Sequence, residues 1–269
     1  MKFKEDLTIV IPSVGESTLE NTINSILENT VLPKLILIIL PKGYKYELKI
    51  KSDIIKIYNS NKKGQVNQRI FGFKKSITKY VMQLDSDIIV NKYTIEKLIH
   101  FISKNNDEIA VAPILRPLIK KKISNNSFLT KSKNLLINGK LHLNPGKITD
   151  IGYNSWFEEK EITNDNYNVE WLPGGCILHK RKNLIIDNYY PFINKAYCED
   201  VIHSLQLKKK DIKLFLLTSV DVQNIGYNNK TNLLQRLSEF KVRKFILKKI
   251  NGNRIRFLIW YFFYVIKFK

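Results

Sequence analysis

Short apolar runs alternate with stretches of helical period along most of this chain. Residues 7–11 read Leu-Thr-Ile-Val-Ile, a β-branched run that Pro12 ends because it cannot continue an interior strand. After a Ser-Val-Gly-Glu-Ser loop, Leu19, Ile23, Ile26 and Leu27 recur at helical spacing. Residues 35–40 form a second strand, closed by Pro41-Lys42-Gly43, and residues 54–58 a third. From Gly64 a helix is predicted to carry Val66, Ile70, Phe73 and Ile77 on its inner face, leading into Val81, Met82 and Leu84, a strand buried on both sides. Ile95, Leu98, Ile99 and Ile102 give a further helix, and residues 109–112 a strand stopped at Pro113. Periodicity fails from about Leu118 to Asn168, where the chain carries Lys120-Lys121-Lys122, many Asn, and the aromatics Tyr153, Trp156 and Phe157. A loop this long is functional or disordered, and it is expected to face a second substrate.

Order resumes at Trp171-Leu172-Pro173-Gly174-Gly175-Cys176, a glycine pair ahead of an apolar strand. Cys198-Glu199-Asp200 opens a helix with Val201, Ile202 and Leu205, and residues 215–217 are a last strand. From Leu233 the chain is helical and basic. Alternating buried strands and helices predict an α/β fold with a mostly parallel central sheet and helices on both faces, plus a C-terminal basic, aromatic helical segment. The expected division is residues 1–226 as the main domain, with halves 1–117 and 118–226, followed by residues 227–269.

Composition adds a charge excess. The 269 residues hold 45 Lys+Arg against 24 Asp+Glu, a formal +21, which favours nucleic acid, an anionic membrane or phosphorylated substrates as partners. Zinc spacing, an RNA-recognition signature and a recognition-helix pattern are all missing, and the lysines are scattered, so nucleic acid is not expected. Two cysteines make neither a disulfide framework nor a metal cluster and suit a reduced compartment. The start lacks the apolar region of a signal peptide, and no run reaches the ~20 apolar residues of a membrane span. The expected location is the cytoplasm, at the inner face of the membrane. Residues 254–269, apolar and aromatic between cations, suit either an interfacial anchor or a helix packed on the protein.

Candidate chemistry begins at Gln83-Leu84-Asp85-Ser86-Asp87. A carboxylate at the end of a buried parallel strand stands where open α/β sheets bind ligands, and Asp85 with Asp87 is suited to holding Mg2+ or Mn2+ against a diphosphate.

Together these segments resemble the family 2 glycosyltransferases of the GT-A (Rossmann-like) fold, over roughly residues 7–226. The carriers of the resemblance are the opening strand and helix, Lys63-Gly64-Gln65-Val66 with Arg69 and Gly72, Asp85-Ser86-Asp87, residues 172–176, and Glu199-Asp200. The resemblance implies inverting transfer of a sugar from a nucleotide-diphosphate donor to a glycan or lipid-linked acceptor, in bacterial surface-polysaccharide synthesis, with peripheral contact to an anionic membrane. It implies Asp200 as general base and Asp85 and Asp87 as ligands of a divalent metal. Donor contacts would come from Pro12, Ser13, Glu16, Lys42, Gly64, Gln65, Arg69, Asp85 and Ser86. Acceptor contacts would come from Trp171, Gly174, Gly175 and Glu199. Two departures stand out. Pro41-Lys42-Gly43 replaces the family's acidic, nucleobase-contacting turn, and Gln223 or Asn224 stands where many members place a metal-binding His. The alternatives are a catalytically degenerate GT-A fold that only binds, a nucleic-acid binder, or a phosphotransferase of the haloacid dehalogenase type. The last would need Thr or Val where Ile89 stands.

Overall fold

The computed structural model describes residues 3–117, 134–137, 139, 144–157, 161–187, 189–192, 196–226 and 233–267. Its strands are β1 (Lys4–Pro12), β2 (Leu32–Pro41), β3 (Ile55–Ser60), β4 (Tyr80–Leu84), β5 (Ile88–Val90), β6 (Ile109–Pro117), β7 (Asn166–Val169), β8 (Cys176–Lys180) and β9 (Lys213–Asn224). The helices are α1 (Leu19–Leu27), α2 (Gln65–Lys75), α3 (Thr94–Lys104), α4 (Glu199–Lys209), α5 (Leu233–Ile250) and α6 (Arg254–Lys267).

All nine strands join one sheet in the order β3-β2-β1-β4-β8-β6-β9-β5, with β7 on β9. β1 to β4, β6 and β9 run one way, and β5, β7 and β8 run against them, so the sheet is mixed and mostly parallel. The reversal at β8 brings the chain back beside β4, where Leu84 pairs with Cys176. That pairing sets the glycine turn beside the end of the central strand.

Both faces are covered, as the unbroken apolar strands require. On one face Leu7, Ile9 and Ile11 of β1 pack with Leu19, Ile23 and Ile26 of α1 and with Ile95, Leu98 and Ile102 of α3. On the other, Val10, Leu37, Ile39 and Val81 pack on Phe73 of α2. Each fully buried aliphatic side chain contributes about 1.5–3 kcal/mol. Gly72 explains how close α2 lies, because a Cβ there would collide with Val10 Cγ1 and sit 3.1 Å from Ile39 Cγ1. Two expectations shift. α2 ends at Lys75, leaving Ile77 outside the helix and 78% exposed instead of on its inner face. β9 is much longer than residues 215–217, because its later half pairs with both β5 and β6.

Two compact units make up the chain: Met1–Leu118 with Asn164–Asn228, and Ile119–Thr163 with Asn229–Lys269. The first holds the sheet. In the second, Ile137, Ile151, Leu247, Phe257, Trp260 and Tyr261 form a core of their own. Arg243 Nε reaches Glu239 Oε1 at 2.8 Å, and its guanidinium lies 5.2 Å from the Trp260 ring centre. Tyr261 OH donates to Arg236 O at 2.6 Å, tying α6 to α5. Of the long segment expected to face a second substrate, residues 118–133 lie outside the described residues, while Tyr153 packs 5.9 Å from Trp260 and Trp156 is 50% exposed.

Candidate active site

β4 ends in a buried run and releases the chain through Asp85-Ser86-Asp87, beside the turn that precedes β8. Asp85 N donates to Gly175 O at 2.9 Å, and Gln83 Nε2 to Gly174 O at 2.7 Å. A Cβ on Gly174 would stand 2.6 Å from Glu199 Oε1 and 3.4 Å from Asp200 Cβ, and one on Gly175 would be 3.7 Å from Asp85 Oδ2. The glycine pair is thus the gap through which the end of β4 and the start of α4 close on each other.

Arg69 joins those two segments. It projects from α2, is 3% exposed, and donates from Nη1 to Glu199 Oε1 at 2.7 Å and from Nη2 to Asp85 Oδ1 at 3.0 Å. Gln65, one turn earlier, donates from Nε2 to the same Asp85 oxygen at 2.8 Å. Burial alone would lower the Arg69 pKa, but the Glu199 and Asp85 carboxylates outweigh it and raise the pKa, so the cation is fixed. Burial pushes the Asp85 carboxyl up to about 6 against the pull of Arg69, and Glu199 and Asp87 add to the rise. Glu199 is buried and spends its second oxygen on Tyr189, whose OH donates at 2.9 Å. Tyr189 stays protonated, its pKa raised by burial and then by Glu199.

Asp200 follows Glu199 at the start of α4, behind Cys198 in a left-handed conformation, φ 51°. It is half-buried, and its Oδ1 accepts the Val201 amide at 2.9 Å. The adjacent carboxylates thus part, Glu199 going to Arg69 and Asp200 Oδ1 to the amide of Val201.

The Ser-Val-Gly-Glu loop forms a second anchor. Glu16 Oε2 accepts from Ser13 Oγ at 2.5 Å, Val14 N at 3.2 Å and Ser86 Oγ at 3.1 Å, so it binds the loop after β1 to the middle of the aspartate motif. Gln68 supports the loop from α2, donating to Ser13 O at 2.8 Å and Ile39 O at 2.6 Å. Pro12 is buried at the end of β1, Lys42 is exposed beyond β2, and Gly64 opens α2 at φ 125°. Trp171 is buried at 3% exposure, away from solvent.

Asp87 meets the end of β9. Ile225 N donates to Asp87 O at 2.9 Å, and Gly226 N to Asn224 Oδ1 at 2.8 Å. A Cβ on Gly226 would collide with Asp87 Oδ2 and lie 3.1 Å from Asn224 Oδ1, so only glycine lets these oxygens share the space. No group of three or more His, Cys, Asp and Glu is arranged to hold a metal among the described residues. The oxygen donors of Asp85, Asp87 and Asn224 nevertheless fit a hard divalent cation whose remaining ligands are phosphate and water.

Tyr189, Gln68 and a buried histidine pair carry no sequence signal. His203 of α4 and His179 of β8 stand with ring centres 5.4 Å apart, Tyr189 lies 6.0 Å from His203, and neither imidazole has a hydrogen-bond partner among the described residues.

The family model described as Glycosyl transferase family 2 matches residues 8–162. No curated protein matches the sequence. Among solved structures, the chain is similar to GalNAc-T7 with UDP, GalNAc and Mn2+, at a TM-score of 0.58 and 16% identity, covering 88% of this chain and 47% of that one. It is also similar to S. aureus TarS 1-349 in complex with UDP-GlcNAc, at 0.58 and 11%, covering 94% and 68%. A mycobacterial protein gives 0.54 and 12%, covering 92% and 75%. The chain spans about half the length of the GalNAc-T7 chain.

Proposed function

The chain belongs to glycosyl transferase family 2, and from that premise we propose that it transfers a sugar, with inversion, from a nucleotide-diphosphate donor to a glycan or lipid-linked acceptor, with Asp200 as general base. The observation that carries this reading is the Arg69 bridge, 3.0 Å to Asp85 and 2.7 Å to Glu199, which holds the donor-side strand end against the helix that bears Asp200.

In this mechanism Asp200 takes the proton of the acceptor hydroxyl as that oxygen attacks the anomeric carbon. The bond to the diphosphate breaks on the opposite side, its electron pair leaving with the phosphate oxygen, and one displacement inverts the centre. Arg69 holds a carboxylate on each of its two terminal nitrogens, so it positions Asp85 and Glu199. Glu199, with both oxygens occupied, holds α4 in place. Ser13, Glu16 and Ser86 shape the floor of the donor site, and Lys42, Gly64 and Gln65 line its rim. Asp85, Asp87 and the Asn224 carbonyl oxygen would hold Mg2+ or Mn2+. When bound, that ion neutralises the charge that builds on the leaving diphosphate. Gly174 and Gly175 let the acceptor side close tightly against Glu199 and Asp200. The acceptor class we favour is a surface-polysaccharide intermediate, assembled at the inner face of a bacterial-type membrane.

The test is binding and turnover of the purified protein against a panel of nucleotide sugars, with magnesium, with manganese and with chelator. We expect metal-dependent binding of one donor, lost in Asp87→Ala. Asp200→Asn should keep donor binding and lose transfer by a factor of about 10² or more. Retained turnover in Asp200→Asn would move the base elsewhere, and no binding of any donor by the parent under any condition would favour a catalytically degenerate fold whose ligand is something else.

A further inference from the structure

Helix α6 presents two apolar faces. Phe257, Trp260 and Tyr261 point into the core shared with α5. On the opposite side Ile255, Leu258, Ile259, Phe262, Phe263 and Ile266 fall on one face of a helix with 3.6 residues per turn, and they are 46% to 75% exposed. Scattered exposed aliphatics are ordinary, but six large ones in a continuous stripe are the mark of an interaction surface.

Charge identifies the occupant. α5 and α6 carry the exposed cations Lys241, Lys244, Lys248, Lys249 and Arg254. Their sole acid is Glu239, buried against Arg243 at 2.8 Å. A second copy of the chain would bring an equally cationic pair of helices to the contact and be repelled. An anionic bilayer offers apolar depth and negative headgroups together. α6 has 14 residues, about 21 Å at 1.5 Å per residue, against a hydrocarbon core of about 30 Å. No described helix is long and apolar enough to cross a membrane. We propose that the exposed face of α6 lies in the plane of an anionic lipid bilayer, with its six apolar side chains in the headgroup–acyl boundary and the neighbouring lysines on the headgroups. The inference is independent of the transfer chemistry, since none of these residues belongs to the candidate active site.

The full chain should be tested by co-sedimentation with vesicles of phosphatidylcholine alone and of phosphatidylcholine with phosphatidylglycerol in equal parts. The protein should bind the anionic vesicles at least about tenfold more tightly than the neutral ones, with affinity falling as salt is added. The triple variant Leu258→Ser, Phe262→Ser, Ile266→Ser should bind at least about tenfold more weakly, and Lys248→Glu with Lys249→Glu should lose the preference for anionic lipid. These side chains are exposed, so melting temperature should hold; single variants at each position serve if the triple one misfolds. Asp200→Asn should bind vesicles like the parent, which separates failure here from failure of the catalytic reading. The proposal is overturned if the parent ignores anionic vesicles, or if the triple variant binds as well as the parent. It is equally overturned if the parent forms a concentration-dependent dimer that the triple variant abolishes while neither binds lipid.

Discussion

Tyr189 has no counterpart in any motif, yet its hydroxyl is the last link in a chain that runs from Gln65 through Asp85, Arg69 and Glu199. Removing that hydroxyl frees one oxygen of a buried carboxylate, a cost of about 1–3 kcal/mol. Tyr189→Phe should therefore lower the unfolding free energy by that amount in urea titration, and lower kcat while acceptor KM stays near the parent value. Arg69→Met should be worse, about 3 kcal/mol or more, because it strands Asp85 and Glu199 without a counter-charge. If Arg69→Met were as stable as the parent, the bridge would not be holding the two segments together. The carboxylates at Asp85, Asp87, Glu199 and Asp200 were legible because each pair is adjacent or nearly so in sequence. Tyr189 and Gln68 were hidden because their partners lie in other segments of the chain, and a lone Tyr or Gln has no pattern to announce it.

At the scale of elements, the long apolar strands and strongly periodic helices were plain from the pattern, and the short ones were not. β5 has three residues and β7 four, too few for a period to register, and both exist only because β9 supplies a partner. α2 shows how packing decides where a motif residue matters. Gly72 looks like part of a ligand-binding signature, but its missing Cβ is what lets the helix lie against Val10 and Ile39. Gly72→Ala should cost about 1–3 kcal/mol by overpacking, measurable as a fall in melting temperature. Because Arg69 rides on the same helix, the variant should also weaken transfer with its active-site side chains intact.

At the scale of the molecule, the buried histidines link stability to pH. Burial, with Arg69 nearby, lowers His203 to about 3, and burial, His203 and Arg69 hold His179 well below the ordinary range. Phe73 and Tyr189, which also face the pair, bring no further charge at neutral pH. Both rings stay neutral in the folded protein while the unfolded chain takes up protons near pH 6.5, so acidification favours unfolding. Stability should fall between about pH 6.5 and 3, by up to about 1.4 kcal/mol per pH unit for each ring. His203→Leu should flatten that slope in melting curves recorded across the range, and an unchanged slope would assign the acid sensitivity to the carboxylates.

The backbone passes between the two compact units three times, near residues 118, 164 and 228. Sequence order therefore hides a connectivity in which the last two helices close a core begun a hundred residues earlier, around Ile137 and Ile151. Cutting the gene before α5 would not yield a trimmed enzyme with a clean edge. It would leave Leu136, Ile137, Ile151 and Tyr153, the part of that core which stays behind, facing water, and the fragment's insolubility would pass for the loss of an anchor that truncation never tested.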